Sequence, residues 1–291
     1  MTWRRLLAAG TMRQWRPRLE INREARQFGV GVRGVVEQVA LRARVHHEAK
    51  NWLILTYCSN AFNTVKRTAV LAEAATCMPA PTPFVAKCYG ERSATVFFQM
   101  DSGERRKMDC SSGVQQANAM GPALFCVPLL PVLKRTGEEF EQRRVEAFAY
   151  LNDISIGMKE ITPDTVEVVP FLQRELVNIG IASKTVALPP KGHVPTPEEF
   201  SLIQGIDVRI AERGGVKVVG VPIGTDEYAM DSAMEIVKNG GAEQLARMLP
   251  RMPDKQSANR IATGSMVQRT AYIERVMDPE LYAKKADSSA I

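Results

Sequence analysis

The chain has 291 residues, 45% of them apolar and 24% charged, with a net charge of +6. That is the composition of a folded chain of one large or two ordinary domains, and it excludes collagen, coiled-coil and low-complexity architectures. The longest weakly polar stretch, 121–133, is too short for a membrane span and is interrupted by prolines. Five cysteines form no C-x-x-C pair and there are only three histidines, so neither a zinc site nor a disulfide framework is expected. A reducing intracellular setting follows, cytoplasmic or nuclear. The first nineteen residues hold five arginines and no acid, which also fits a mitochondrial transit peptide. Residues 1–50 carry eleven Lys/Arg against four Asp/Glu, so nearly all the net charge sits in one arm. Such an arm predicts a polyanion partner, nucleic acid ahead of an anionic membrane surface, unless it is an ordinary solvated helix face.

In chain order, Trp3, Leu6, Leu7 and Trp15 predict a short basic helix ending at Arg16-Pro17, followed by a glycine-punctuated loop at 27–32. Apolar residues at helical spacing then run from Val35 to His47. Residues 51–57 read as a buried strand and 63–75 as the helix after it, capped at Asn63-Thr64. A hairpin is predicted from 93–100 and 105–110 around Asp101-Ser102-Gly103, and a helix over 121–133. A second hairpin spans 145–157 and turns at Asn152-Asp153. Thr162-Pro163-Asp164 caps a helix over 165–179, and a proline-rich loop covers 189–198. Strands are expected at 206–211 and 216–222, joined by 212–215, and helices from Gly224 onward with a break near 250–253. The class is α+β.

Three segments carry the chemistry: Tyr57-Cys-Ser-Asn-Ala-Phe-Asn63, the run from Ser112-Gly-Val-Gln-Gln to Phe125, and Phe148-Ala-Tyr-Leu-Asn-Asp-Ile-Ser-Ile-Gly157. Their order resembles three successive polymerase motifs of reverse transcriptases, of the kind found in non-LTR retroelements. Gly180-Ile-Ala-Ser-Lys-Thr185 is similar to the family's lysine motif, Val218 to Gly224 to its primer-grip hairpin, and Gln27-Phe-Gly-Val-Gly31 to its fingers loop. The resemblance covers roughly residues 25–225. It implies a right-hand polymerase fold: fingers over 1–50 with the 92–110 hairpin, palm over 51–222, and a helical thumb-like segment over 223–291. It also implies RNA-directed DNA polymerase activity, a retrotransposon origin, Mg²⁺ as cofactor, and RNA or RNA–DNA duplex rather than a membrane as partner.

Nucleotidyl transfer in this family uses two metal ions that clamp the attacking and leaving oxygens of an in-line displacement. Hard Mg²⁺ requires carboxylates from adjacent strands. Here Tyr57 stands at the first metal-aspartate position and Asn152 at the first of the paired aspartates, leaving Asp153 as the one remaining carboxylate and a weak metal ligand. A phenol is neutral near pH 7 and an amide is a weak donor. Loss of one preorganised electrostatic group costs on the order of 10²–10³ in rate, so a crippled site is expected. Ala117 and Asn118 replace a Gly-Asp pair, and the turn before Lys184 is short. By the same resemblance Lys184 would sit near the leaving pyrophosphate, Phe62 would screen the sugar, and Gln115 and Gln116 would face template and nucleotide. Without it, Phe62 reads as a core residue, the glutamines as a polar helix start and Lys184 as a surface group.

The letters Gly29-x-Gly31-x-x-Gly34 match a dinucleotide fingerprint but follow no strand. His46 and His47 are adjacent, so they splay to different helix faces. Basic residues at 238, 247, 251, 255, 260, 269 and 275 suit a duplex backbone or an ordinary helix surface equally. Three functions remain open: an impaired reverse-transcriptase domain, a non-catalytic nucleic-acid-binding protein, and a structural subunit reusing the fold.

Overall fold

The computed structural model describes residues 3–15, 26–31, 34–90, 94–116, 118–239, 242–262 and 275–277. The basic helix is α1 (Trp3–Trp15), and the periodic run is α2 (Val35–Glu48). The buried strand is β1 (Trp52–Ser59). It is apolar without alternation because both its faces are covered. Trp52, Ile54 and Cys58 join one cluster, and Leu53 and Leu55 join another with Tyr57 packed against it.

The helix expected at 63–75 is two: α3 (Ala61–Thr64) and α4 (Arg67–Cys77). Its cap is not Asn63-Thr64; Asn60 opens α3 in a left-handed conformation and extended Lys66 opens α4. Next come α5 (Thr82–Tyr89), which had no predicted counterpart, and the expected hairpin of β2 (Ala94–Gln99) and β3 (Arg105–Cys110). The helix at 121–133 is split and extended: α6 (Gly121–Cys126), then α7 (Leu129–Phe140). Pro128 stands where α7 begins, a position that its missing N–H does not harm.

The second hairpin is β4 (Glu146–Tyr150) and β5 (Asp153–Met158), with Leu151 and Asn152 at its turn, so the turn lies one residue earlier than expected. Thr162 does cap the next helix, through a capping box with Thr165. That helix breaks at Glu167 into α8 (Pro163–Val166) and α9 (Val168–Asn178). Then follow β6 (Ala182–Leu188), α10 (Pro197–Gly205) and the two-residue β7 (Arg209–Ile210).

The expected strand at 216–222 is itself a hairpin, β8 (Gly215–Val218) and β9 (Val221–Gly224), turning at Val219-Gly220. The strand expected at 206–211 does not join it; β7 pairs in parallel with β6 instead. Helices close the described chain, α11 (Asp226–Asn239), α12 (Ala242–Met248) and α13 (Lys255–Ile261), broken as expected near Pro250.

The main sheet has the order β4-β5-β1-β6-β7, antiparallel except for its last pair. One face packs on α4, α6, α7 and α9, through buried residues that include Val70, Phe125, Leu129, Val169 and Leu172. The other face packs on α2, through Val35, Val39 and Ala43, and on the β8–β9 hairpin, through Val216, Val218 and Ile223. At about 25 cal/mol per Å² of apolar surface removed from water, these two clusters supply most of the driving force. The fold is α+β, as expected, with most of the core-facing helices on one face of a largely antiparallel sheet, and α2 together with a small hairpin on the other.

Candidate functional site

Strand register sets three of the named residues in one row. Tyr57 on β1 stands opposite Asp153 on β5 and opposite Lys184 on β6. Directly opposed residues share a face, with neighbouring strands about 4.8 Å apart, so the three side chains leave the sheet on the side that carries the β8–β9 hairpin. Tyr57 is half-buried there, and its hydroxyl donates to the Lys217 carbonyl of β8 at 3.0 Å. Burial, and then the negative charge of Asp153, push its phenol up to about 12. It is a neutral hydrogen-bond donor at any ordinary pH. Asp153 is also half-buried, and loss of solvent raises its pKa. Lys184 is exposed.

The turn between β4 and β5 is held by a residue 124 positions away in sequence. Leu151 has φ of 53°, a conformation that a branched side chain adopts at a cost. Gln27 is fully buried and fixes it from both sides: its amide nitrogen donates to Leu151 O at 3.1 Å, and its amide oxygen accepts from Leu151 N at 3.0 Å. The same oxygen accepts from Gly29 N at 2.9 Å. Arg26 and Phe28 hydrogen-bond Ala149 as a parallel bridge on the outer edge of β4. A Cβ on Gly29 would stand 2.6 Å from Leu151 Cδ2 and 2.9 Å from Leu151 N, so the loop needs glycine here. Asn152 sits in this turn, its carbonyl accepting from Cys58 N at 3.1 Å and its amide donating to Asp153 Oδ1 at 3.5 Å.

The remaining named residues gather around α3, which follows β1 directly. Phe62 stacks on Phe125 with ring centroids 4.5 Å apart, so its ring is built into the main core. Its carbonyl accepts from Val114 N at 2.6 Å. Gly113, at φ +71°, would place a Cβ 2.5 Å from the backbone of Phe62 and Asn63, which explains why this loop docks so closely. Beyond it Gln115 and Gln116 are exposed, with Gln115 N donating to the Tyr89 hydroxyl at 3.3 Å. Asn118 is buried and caps the turn before α6, accepting from Met120 N at 3.0 Å. Ala117 lies outside the described residues.

Mg²⁺ in a two-ion centre requires several carboxylates converging on one point. The row offers one, Asp153, between a protonated phenol and the turn amide, with a lysine in register two strands away. Among the described residues no group of three His, Cys, Asp or Glu is placed to hold a metal ion. This donor set does not fit a pair of divalent ions.

Sequence reasoning missed two parts of the arrangement. One is the carbonyl of Lys217, a backbone acceptor invisible to any residue pattern. The other is a carboxylate hub: Glu146 on β4 accepts from His46 at 2.7 Å, from Arg42, and forms an ion pair with Arg26 at 3.1 Å. The hydrogen bond from His46, then Arg42, hold the Glu146 carboxyl at about 2 despite its burial. Two arginines of the basic arm are therefore spent inside the fold, and Arg44 pairs with Glu48. Arg5, Arg13 and Lys50 are exposed, while Arg16, Arg18, Arg23 and Arg33 lie outside the described residues. Of the C-terminal cations expected to suit a duplex backbone, Arg275 binds Glu37 at 2.8 Å and Lys255 donates to Pro250 O. Arg251 and Arg260 are exposed, Arg247 is exposed with a partner of its own, and Arg269 and the side chain of Lys238 lie outside the described residues. His46 and His47 do diverge: His46 meets Glu146, while His47 is buried. No described helix is long and apolar enough to cross a membrane.

No protein-family model matches the sequence, and no curated protein matches it. Solved structures do. The chain is similar to apo telomerase from Candida tropicalis at a TM-score of 0.53 and 11% identity, over 74% of this chain and 39% of that one. It is also similar to the same telomerase truncated from its C-terminal domain, at 0.49 and 15% identity, over 74% and 43%. The chain thus spans about two fifths of the length of the telomerases it matches. The first likeness extends to the fold and no further, and it agrees with the right-hand polymerase architecture expected from the motif order.

Proposed function

We propose that this chain is a reverse-transcriptase-like module that binds nucleic acid and does not carry out metal-dependent nucleotidyl transfer. In this reading, residues 1–50 with the 92–110 hairpin form the fingers, 51–222 the palm and 223–291 a thumb-like segment, and the descent is from a non-LTR retroelement. The observation that carries it is the row itself. Tyr57 stands in register between Asp153 and Lys184, at the position where the resemblance calls for a metal carboxylate, and spends its hydroxyl on the backbone of β8. What would be an ion-filled gap between palm and hairpin is closed by a phenol.

The residues proposed to meet nucleic acid are those left exposed: Lys184 on the row, Gln115 and Gln116 on the loop beside α3, and Arg105 and Arg106 on the β2–β3 hairpin. Lysine and arginine neutralise phosphates and release counterions, so affinity must fall with salt. Fluorescence anisotropy with an RNA–DNA duplex tests this. The expected result is micromolar binding that weakens about tenfold or more between 50 and 200 mM salt, and several-fold further in Arg105→Ala with Lys184→Ala. Affinity that ignores salt would refute it. The reading as a purely structural subunit has no observation in its favour beyond the incomplete donor set.

A further inference from the structure

β4 is the outer edge of the main sheet. Ala149 donates outward to Arg26 O at 2.9 Å and accepts from Phe28 N at 2.8 Å, so its backbone groups point away from β5. In an antiparallel pair that aspect repeats every second residue, so the N–H and C=O of Ala147 also point outward. Ala147 is only 4% exposed, and neither group has a hydrogen-bond partner among the described residues. A buried backbone donor and acceptor left unpaired are rare in folded chains.

Ala147 lines a cavity of about 890 Å³ that reaches across to α4 and α7. Leu130, Leu133 and Val145 give it an apolar lining, and Cys77 lies on its wall. The charges around it are unequal in their commitments. Arg26 and His46 are held by Glu146, and Lys134 faces Glu138 at 3.8 Å. Glu73 and Glu141 have no ion-pair partner among the described residues, against one similarly placed cation, Arg144.

We propose that this edge receives an extended peptide from a partner protein as an added strand, with apolar side chains turned into the cavity and Lys or Arg facing Glu73 and Glu141. A donor and an acceptor on one residue of a sheet edge are the complement of another strand's backbone, the geometry by which peptides extend sheets. The bridge at Ala149 shows that this edge already accepts one parallel neighbour.

The probe is a set of linear decapeptides selected on the full chain from a displayed library. Enriched sequences should alternate apolar residues with Lys or Arg and slow the alkylation of Cys77 by N-ethylmaleimide at least tenfold, read by peptide mass spectrometry. Backbone N-methylation at alternate positions should abolish binding in one register and spare it in the other. Ala147→Pro removes the outward N–H, and proline is tolerated at outward-facing edge positions; it should cost at least tenfold in affinity at an unchanged circular-dichroism spectrum. Glu73→Lys with Glu141→Lys leaves the backbone edge intact and should cost several-fold, which keeps the test sound if Ala147→Pro misfolds. Absence of enrichment, or binding that ignores these changes and leaves Cys77 reactive, overturns the proposal. So does protection of Cys77 by self-association that disappears on dilution, which would assign the edge to a second copy.

Discussion

Two sets of polar groups on the β4–β5 hairpin are treated in opposite ways. Gln27 and Glu146 are each fully engaged: three hydrogen bonds meet one buried amide, and three cationic or imidazole groups meet one carboxylate. Along the Tyr57 row the polar groups are few, and one of them, Asp153, carries a carboxylate that burial disfavours in its charged form. The contrast teaches that the frame of this sheet does not depend on the charges in the Tyr57 row. The strained Leu151 turn, beside Asn152 and Asp153, is held from the 26–31 loop by an amide whose chemistry has nothing to do with metal.

Breaking the well-satisfied region should have the largest effect. Gln27→Ala strands two backbone N–H groups and one carbonyl and leaves Leu151 unsupported, a loss of about 3 kcal/mol measurable by urea unfolding. Glu146→Gln should cost about 2 kcal/mol, since it leaves two arginines around a neutral amide. The sign with pH is fixed by its lowered pKa. The stabilisation by Glu146 is present above its ordinary value of 4.5 and lost as pH falls toward about 2. Glu146→Gln should therefore flatten the acid limb of the stability profile over that window.

The row should prove much softer. Tyr57→Phe removes one hydrogen bond, to Lys217 O, and should cost about 1 kcal/mol or less. Amide exchange should quicken in the β8–β9 hairpin and stay unchanged in β4 and β5. A loss near 3 kcal/mol would show that the phenol is as structural as Gln27, and would erase the contrast between the two regions.

Much of this frame was legible in the sequence because it is carried by short apolar runs and local turns. The 52–59 strand, the 94–110 hairpin and the Thr162 cap all declare themselves within fewer than twenty residues. So does the start of α10, where Thr196-Pro-Glu-Glu199 is a capping box that the proline-rich reading of 189–198 passed over. Residues 216–222 misled for a different reason: the turn at Val219-Gly220 has a β-branched residue at φ 45°, which no propensity favours, so a hairpin reads as one strand. Of the site, the row of Tyr57, Asp153 and Lys184 was named from motif order. Its closure by Lys217 O, 160 residues from Tyr57, and the hub at Glu146, about 100 from its partners, arise only when the sheet forms.

The most direct test is primer extension on a poly(rA)–oligo(dT) template with Mg²⁺ and then Mn²⁺, run beside a variant carrying Tyr57→Asp, Asn152→Asp, Ala117→Gly and Asn118→Asp. The account predicts no extension by the unaltered chain while it still binds the duplex, and measurable extension by the variant. Extension by the unaltered chain would contradict it, because one carboxylate beside a neutral phenol would then suffice to carry the chemistry.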